Sequence, residues 1–350
     1  MLYEEIISLE NLFTCWGEFK RGKGSRLDVC DFDRYLEDNI FALHCDLANH
    51  DYRHGAYHTF HIHDPKHRVI SKATVRDRLV HHMVFNELYR IFDPTFIYHS
   101  YASRLDKGTH LAVHNLSCAL RAVSRNYTRT IWALKCDIKK FFYNVSHHKL
   151  LQIIKKKIKD DQFLQLVCEI VKSFPPVDKK VERKILGNNI PIVGLPIGNV
   201  TSQVFANIYL NELDQFIKHE LHLHHYFRYA DDFIIVHDDP HYLHYLVGVL
   251  GEFLSLSLSL ELHPRKVEVR KFSQGIDFLG YVILPHYIVL RTSTKQRMFR
   301  KLSSQEELAV SGNLEIEKFK QIMQSYLGLL THCDGYELGQ VVKNRFGFKN

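Results

Sequence analysis

His225-Tyr226-Phe227-Arg228-Tyr229-Ala230-Asp231-Asp232-Phe233-Ile234-Ile235-Val236-His237 sets two adjacent carboxylates between two runs of aromatic and β-branched residues. Such flanks favour strands, so the sequence places the acid pair at the turn of a β-hairpin. Asp at a hairpin tip is commonly a turn former, through its own local hydrogen bonds. Two like charges side by side repel, however, and a divalent cation removes that objection. Hard Mg²⁺ is held by one or two carboxylates together with substrate phosphates.

A second acid lies upstream. Ala133-Leu134-Lys135-Cys136-Asp137-Ile138-Lys139-Lys140-Phe141-Phe142-Tyr143-Asn144-Val145 again puts one Asp at the end of an apolar run. Two strand-borne acids that converge across a sheet can hold two metals about 3.5–4 Å apart, the arrangement used for in-line phosphoryl displacement by polymerases and nucleases. Between the two acids lies Gly194-Leu195-Pro196-Ile197-Gly198-Asn199-Val200-Thr201-Ser202-Gln203, a turn-rich loop running into a helix. From Val204 to Asp214 the apolar residues have helical spacing, and Ser202 is read as the N-cap.

In that order the three blocks resemble those of reverse transcriptases. Upstream, Lys66-His67-Arg68-Val69-Ile70 with Thr74 to Val80 resembles the first fingers block, and Ser100 to Thr109 the second. Downstream, His263-Pro264-Arg265-Lys266 and Phe278-Leu279-Gly280-Tyr281 resemble the last palm blocks, and Ser325 to Cys333 the thumb block of the bacterial, group II intron-like branch. The resemblance covers about residues 60–335. Most of the family carries Gln-Gly followed by Ser-Pro in the loop, whereas this chain has Ile197-Gly198 and Ser202-Gln203. That form is similar to the reverse transcriptases of diversity-generating retroelements.

The resemblance implies an α+β right-hand polymerase. Fingers would come from 1–112 and 146–200, an antiparallel-sheet palm from 113–145 and 201–285, and a helical thumb from 286–350. It leads us to expect no RNase H or HNH-type endonuclease domain. Asp137, Asp231 and Asp232 would hold two Mg²⁺ ions (Mn²⁺ as substitute), helped by the Ile138 carbonyl. Phe142 would exclude a ribose hydroxyl, and Lys266 would sit near the leaving pyrophosphate. Arg68, Lys72 and Arg76 would clamp the triphosphate. Ile197, Gly198 and Gln203 would lie beside the nascent pair, Tyr101 and Arg104 along the template, and Leu279, Gly280 and Tyr281 at the primer grip.

The implied activity is RNA-directed DNA synthesis from a template-repeat RNA, error-prone at adenines, with a DNA or RNA primer and deoxynucleoside triphosphates. A small basic accessory protein is the further partner implied. The alternatives are a retron, abortive-infection or other defence-associated enzyme, or a catalytically silent RNA-binding maturase.

Composition agrees with a nucleic-acid partner. The net charge of +7, with 24 histidines besides, suits a polyanion, although solubility alone is also served by such a charge. Hydrophobic content of 45% and charged content of 24% are those of a soluble globular chain. Seven scattered cysteines with no CxxC pair argue for reduced thiols in the cytoplasm, against both a disulfide frame and a zinc finger. Met1 to Glu10 lacks the basic stretch of a signal peptide, and no apolar run is long enough for a membrane span. His219, His222, His224 and His225 alternate with Leu on the way into a strand, so they are not read as a zinc site. Lys155-Lys156-Lys157-Ile158-Lys159 reads as a solvated helix face, with nucleic-acid contact as its second reading.

The pattern further predicts helices over Tyr3 to Trp16, Arg34 to Leu47, Thr74 to Phe92 and 147–173, and helical structure from Arg297 on. It predicts a strand over 131–145. Leu254 to Leu262 alternates in strict period two and reads as a strand, although the resemblance would keep its first half helical.

Overall fold

The computed structural model describes residues 2–63, 66–174 and 193–347. The Pro175-Pro176 and Gly187-Asn188-Asn189 breaks read from the sequence lie outside these residues. The chain divides into two compact units, one of 1–104, 137–223 and 249–264, the other of 105–136, 224–248 and 265–350.

The first unit begins with four helices, α1 (Tyr3–Ile7), α2 (Leu9–Lys20), α3 (Leu27–Arg34) and α4 (Leu36–Ala48). On α2 the buried residues are Leu12, Cys15, Trp16 and Phe19, one helical stripe. An antiparallel hairpin follows, β1 (His58–Ile62) with β2 (Arg68–Lys72), pairing Thr59 with Ser71 and Phe60 with Ile70. Helix α5 (Val75–Phe92) starts where predicted, because the Thr74 hydroxyl accepts from the Asp77 N–H and caps it.

The predicted strand over 131–145 is half strand. It stops at Asp137, Lys140 takes a left-handed φ of 46°, and Phe141–Asn144 form a short helix, α7. The aromatic run read as β-forming is there turned inward, with Phe141 buried. The helix predicted over 147–173 is two, α8 (His147–Lys155) and α9 (Asp161–Lys172). Asp160 separates them because its carboxylate caps α9, accepting from the Phe163 N–H at 3.0 Å. Lys155, Lys156, Lys157 and Lys159 are exposed around a buried Ile158, as the solvated-face reading requires.

Helix α10 (Val200–Gln215) follows the loop. Its N-cap is Asn199 rather than Ser202, whose hydroxyl instead donates to the Pro196 carbonyl at 2.7 Å. The period-two reading of 254–262 is overturned, since α11 runs Pro240–Leu258. Leu250, Leu254 and Leu258 are buried four residues apart while Leu256 is 72% exposed, which is helical and not strand spacing.

The second unit holds α6 (Thr109–Val123) and a four-stranded sheet of order β4-β5-β3-β6. These strands are β3 (Trp132–Asp137), β4 (Tyr226–Tyr229), β5 (Asp232–His237) and β6 (Glu268–Lys271). Helix α6 packs on β4 and β5 through a stripe that includes Val113, Leu116 and Leu120. A smaller sheet, β7 (Ile276–Phe278), β8 (Tyr281–Ile283) and β9 (Ile288–Leu290), precedes three helices. These are α12 (Thr292–Val310), α13 (Ile316–Leu330) and α14 (Tyr336–Phe346), closed on a core of Met298, Leu302, Phe319, Val342 and Phe346. Helices stand beside antiparallel sheets, and the class is α+β as predicted. Among the described residues no helix is long and apolar enough to cross a membrane.

Candidate active site

The acid pair stands on a hairpin turn. Tyr229 pairs with Asp232 in register, so only Ala230 and Asp231 make the turn. Ala230 takes a φ of 53°, which an L-residue adopts at a cost of about 1–3 kcal/mol when the surroundings enforce it. Beneath it, Arg228 is fully buried and its guanidinium donates to the Ala230 carbonyl at 3.2 Å. A buried cation needs such hydrogen bonds to offset its desolvation. Asp231 and Asp232 are half-buried.

Asp137 is the last residue of β3, the strand next to β5 in the sheet order, and is 8% exposed. Beyond it, Ile138 forms an antiparallel bridge with Leu262. The bridge is closed by Lys139 N–H to the Glu261 carbonyl at 2.9 Å and by His263 N–H to the Asp137 carbonyl at 2.7 Å. In such a pair the Ile138 carbonyl is directed away from Leu262. Among the described residues no group of three or more His, Cys, Asp or Glu side chains is gathered to hold an ion, the 219–225 histidines included. The donors on the hairpin are nonetheless hard oxygens, and two carboxylates are what Mg²⁺ takes where substrate phosphates fill the rest of its shell.

In the first unit the loop before α10 lies along the open edge of β2. The Ser71 N–H donates to the Ile197 carbonyl at 2.9 Å. Asn199 accepts from the Ala73 N–H at 3.2 Å and donates to the Ser71 carbonyl at 2.8 Å. Gly198 has a φ of 121°, and a Cβ there would stand 2.8 Å from Ile70 Cγ2, so the approach requires glycine. Lys72, Gly198 and Gln203 line one cavity of about 500 Å³, together with Phe19, Lys23 and Arg26. Gln203 is exposed and Ile197 half-buried.

Phe142 is half-buried, edge-on to Phe141 at 5.3 Å, and its carbonyl accepts from the Leu195 N–H. Of the three cations expected at the triphosphate, Arg68 is exposed at the start of β2 and Lys72 pairs with Asp28 at 2.7 Å. Arg76 pairs with Asp46 and lies over the Tyr52 ring at 4.8 Å. Tyr101 and Arg104, expected along the template, are both engaged within the chain. Tyr101 has no exposed surface and its hydroxyl meets His99 at 2.7 Å. Arg104 is spent on Asp93 at 2.6 Å and on the Ile97 and Ser100 carbonyls. Both hold the 93–104 segment together.

In the second unit, Leu279 (φ 51°) and Gly280 (φ 92°) make the turn into β8. Tyr281 is 1% exposed and donates to the Leu329 carbonyl at 3.2 Å. Its ring therefore serves the interior. Lys266 is exposed.

Sequence reasoning missed Asn199, Arg228 and a buried histidine chain. His81 is 1% exposed, its Nδ1 meets Thr201 Oγ1 on α10, and its Nε2 meets His54 Nε2 at 2.9 Å. Because His54 Nδ1 faces the Gly55 carbonyl at 2.6 Å it must donate there, so a neutral His54 accepts from His81 and His81 from Thr201. Burial first, and the neighbouring His54 second, push His81 down to about 3. Only long-range contacts define this chain, and nothing local in the sequence signals it.

Residues 62–283 match the sequence profile of the family described as reverse transcriptase (RNA-dependent DNA polymerase). Over 296 residues the chain is 25% identical to protein YkfC of Escherichia coli, covering 75% of this chain and 71% of that one. It is 30% identical over 152 residues to the group II intron-encoded protein LtrA of Lactococcus lactis, 43% of this chain and 23% of that one. It is likewise 30% identical over 151 residues to an uncharacterized 91 kDa protein in a cob intron of Schizosaccharomyces pombe, of which it spans 17%. Among solved structures it is similar in fold to apo telomerase from Candida tropicalis, with a TM-score of 0.52 at 12% identity, covering 85% of this chain and 60% of that one.

Proposed function

From the premise that this chain belongs to the reverse transcriptase family, we propose that it is an RNA-directed DNA polymerase of the diversity-generating type. The observation that carries the polymerase reading is the two-residue turn that presents Asp231 beside Asp232, one strand over from the strand ending in Asp137. Asp137, Asp231 and Asp232, with the Ile138 carbonyl, are the groups that would hold Mg²⁺, which stabilises charge on attacking and leaving oxygens in phosphoryl transfer. The chain's own part is positioning. Phe142 would face the sugar of the incoming deoxynucleotide. Arg68 and Lys72 would contact its phosphates, Lys72 after exchanging Asp28 for a stronger anion, and Lys266 would face the leaving pyrophosphate. Arg76, committed to Asp46, would set the start of α5.

The diversity-generating assignment rests on Ile197 and Gln203. An aliphatic side chain offers no hydrogen bond to a nascent pair, so a mispair loses less relative to a correct one. Template RNA, a DNA or RNA primer and a small basic accessory protein would be the partners. The intron-encoded relatives support a second reading, an intron-type enzyme, which would copy all four bases accurately. The experiment is primer extension on an RNA template with Mg²⁺, followed by sequencing of the cDNA. Synthesis that Asp231→Ala abolishes, with errors concentrated opposite adenine, is the expected result. A uniformly low error rate returns the enzyme to the intron type, and synthesis by the Asp231→Ala protein at a comparable rate removes the site.

A further inference from the structure

Asn199 is 3% exposed and spends both halves of its amide on one strand. Its orientation is forced, because the Ala73 N–H can only donate and the Ser71 carbonyl can only accept. Ser71 is held at its other backbone group too, its N–H on the Ile197 carbonyl at 2.9 Å. Residues 197–199 are thus tied along β2 by one backbone bond and by the Asn199 amide, on a strand otherwise paired with β1. Gly198 completes the fit by letting the two backbones approach over Ile70. On one side of this seam Lys72 follows directly after Ser71, and on the other Gln203 lies one turn into α10. Both line the same cavity of about 500 Å³.

We infer that Asn199 is a positioning residue that fixes β2 to the loop before α10, so that Lys72 and Gln203 face a bound nucleotide as one rigid wall. The inference rests on the polymerase reading for the identity of the ligand, while the clamp itself does not. Losing one wall's register misplaces a phosphate contact without removing any reacting group, and small misplacements far from the chemistry are costly. Its signature is therefore in nucleotide affinity rather than in turnover.

Two measurements on the full chain test it. Hydrogen exchange followed by mass spectrometry should show the Ser71 and Ala73 amides exchanging faster in Asn199→Ala than in wild type, whether or not the protein makes DNA. Unchanged exchange there overturns the clamp. In primer extension, Asn199→Ala should raise the KM for deoxynucleoside triphosphate roughly tenfold and leave kcat within about threefold, the size expected for two lost hydrogen bonds acting through position. The rise should shrink in a Lys72→Ala background, since the effect runs through that strand. A fall in kcat at constant KM, or full additivity with Lys72→Ala, makes Asn199 a plain structural residue and overturns the proposal. Should Asn199→Ala not fold, Asn199→Asp keeps the Ala73 bond, loses the Ser71 bond and is read by the same criteria. A wild-type protein that makes no DNA would sink the polymerase reading alone, and the exchange measurement would still decide the clamp.

Discussion

Single side chains carry two of the expected properties. Phe142 is the second residue of the short helix after Lys140, half-exposed while its neighbour Phe141 is buried, so the two rings divide the work of core and surface. If the exposed ring faces the sugar, Phe142→Ala should lose about 2–3 kcal/mol of selectivity between dATP and ATP, on the scale of one steric exclusion. Equal selectivity in competition primer extension would make Phe142 a packing residue. Ile197 lies half-buried with its carbonyl already bound to Ser71. Ile197→Gln therefore leaves the loop's backbone tie in place and adds only an amide. Errors opposite template adenine should drop by roughly tenfold, the worth of a single hydrogen bond in discrimination. Identical error spectra from the two proteins would clear Ile197 of any part in fidelity.

Elements show where the sequence is legible. The hairpin around Asp231 and helix α5 follow from local causes, an aromatic flank before the turn with a β-branched one after it, and a Thr cap before an apolar stripe, and both stand where predicted. The misread stretches share a different cause. Phe141-Phe142-Tyr143 has strand propensity, yet the left-handed Lys140 and the bonds from Gly194 and Leu195 to the Val145 and Phe142 carbonyls impose a turn of helix. The alternating leucines after Leu254 fit either period, and burial of every fourth residue decides for helix. Likewise the clamp on β2 joins residues 126 and 128 positions apart, beyond any local signal. Gly198 is the test of that seam. Gly198→Ala combines a φ of 121° with a Cβ 2.8 Å from Ile70 Cγ2 and should cost about 1–3 kcal/mol in urea denaturation. Adding Ile70→Ala should restore the part due to contact and leave the part due to φ. A Gly198→Ala protein as stable as wild type would mean that the loop does not press on β2.

At the scale of the molecule the histidines set the response to pH. Burial first of all lowers His81, His110 and His147, so each takes up a proton less readily in the fold than in the unfolded chain. His147 is typical, its Nε2 on the Gly194 carbonyl at 2.6 Å and its buried Nδ1 without a partner to receive a new proton's hydrogen bond. The direction follows from linkage. Above the unfolded value near 6.5 both states are neutral and nothing is gained or lost. Below it the unfolded chain binds protons that the fold refuses, so stability falls as pH drops, and the loss is complete only near the folded value. For His81, pushed down to about 3 and almost fully buried, the loss between pH 7 and pH 5 is about 2 kcal/mol. His81→Gln keeps a side-chain hydrogen-bonding group for Thr201 and cannot titrate. It should start less stable at pH 7, because the chain to His54 is broken, and then lose about 2 kcal/mol less than wild type on going to pH 5. Urea denaturation of both proteins at the two pH values measures the difference directly. Parallel losses in the two would mean that His81 reaches solvent, and that the polar chain from Gly55 to Thr201 opens well before the fold does.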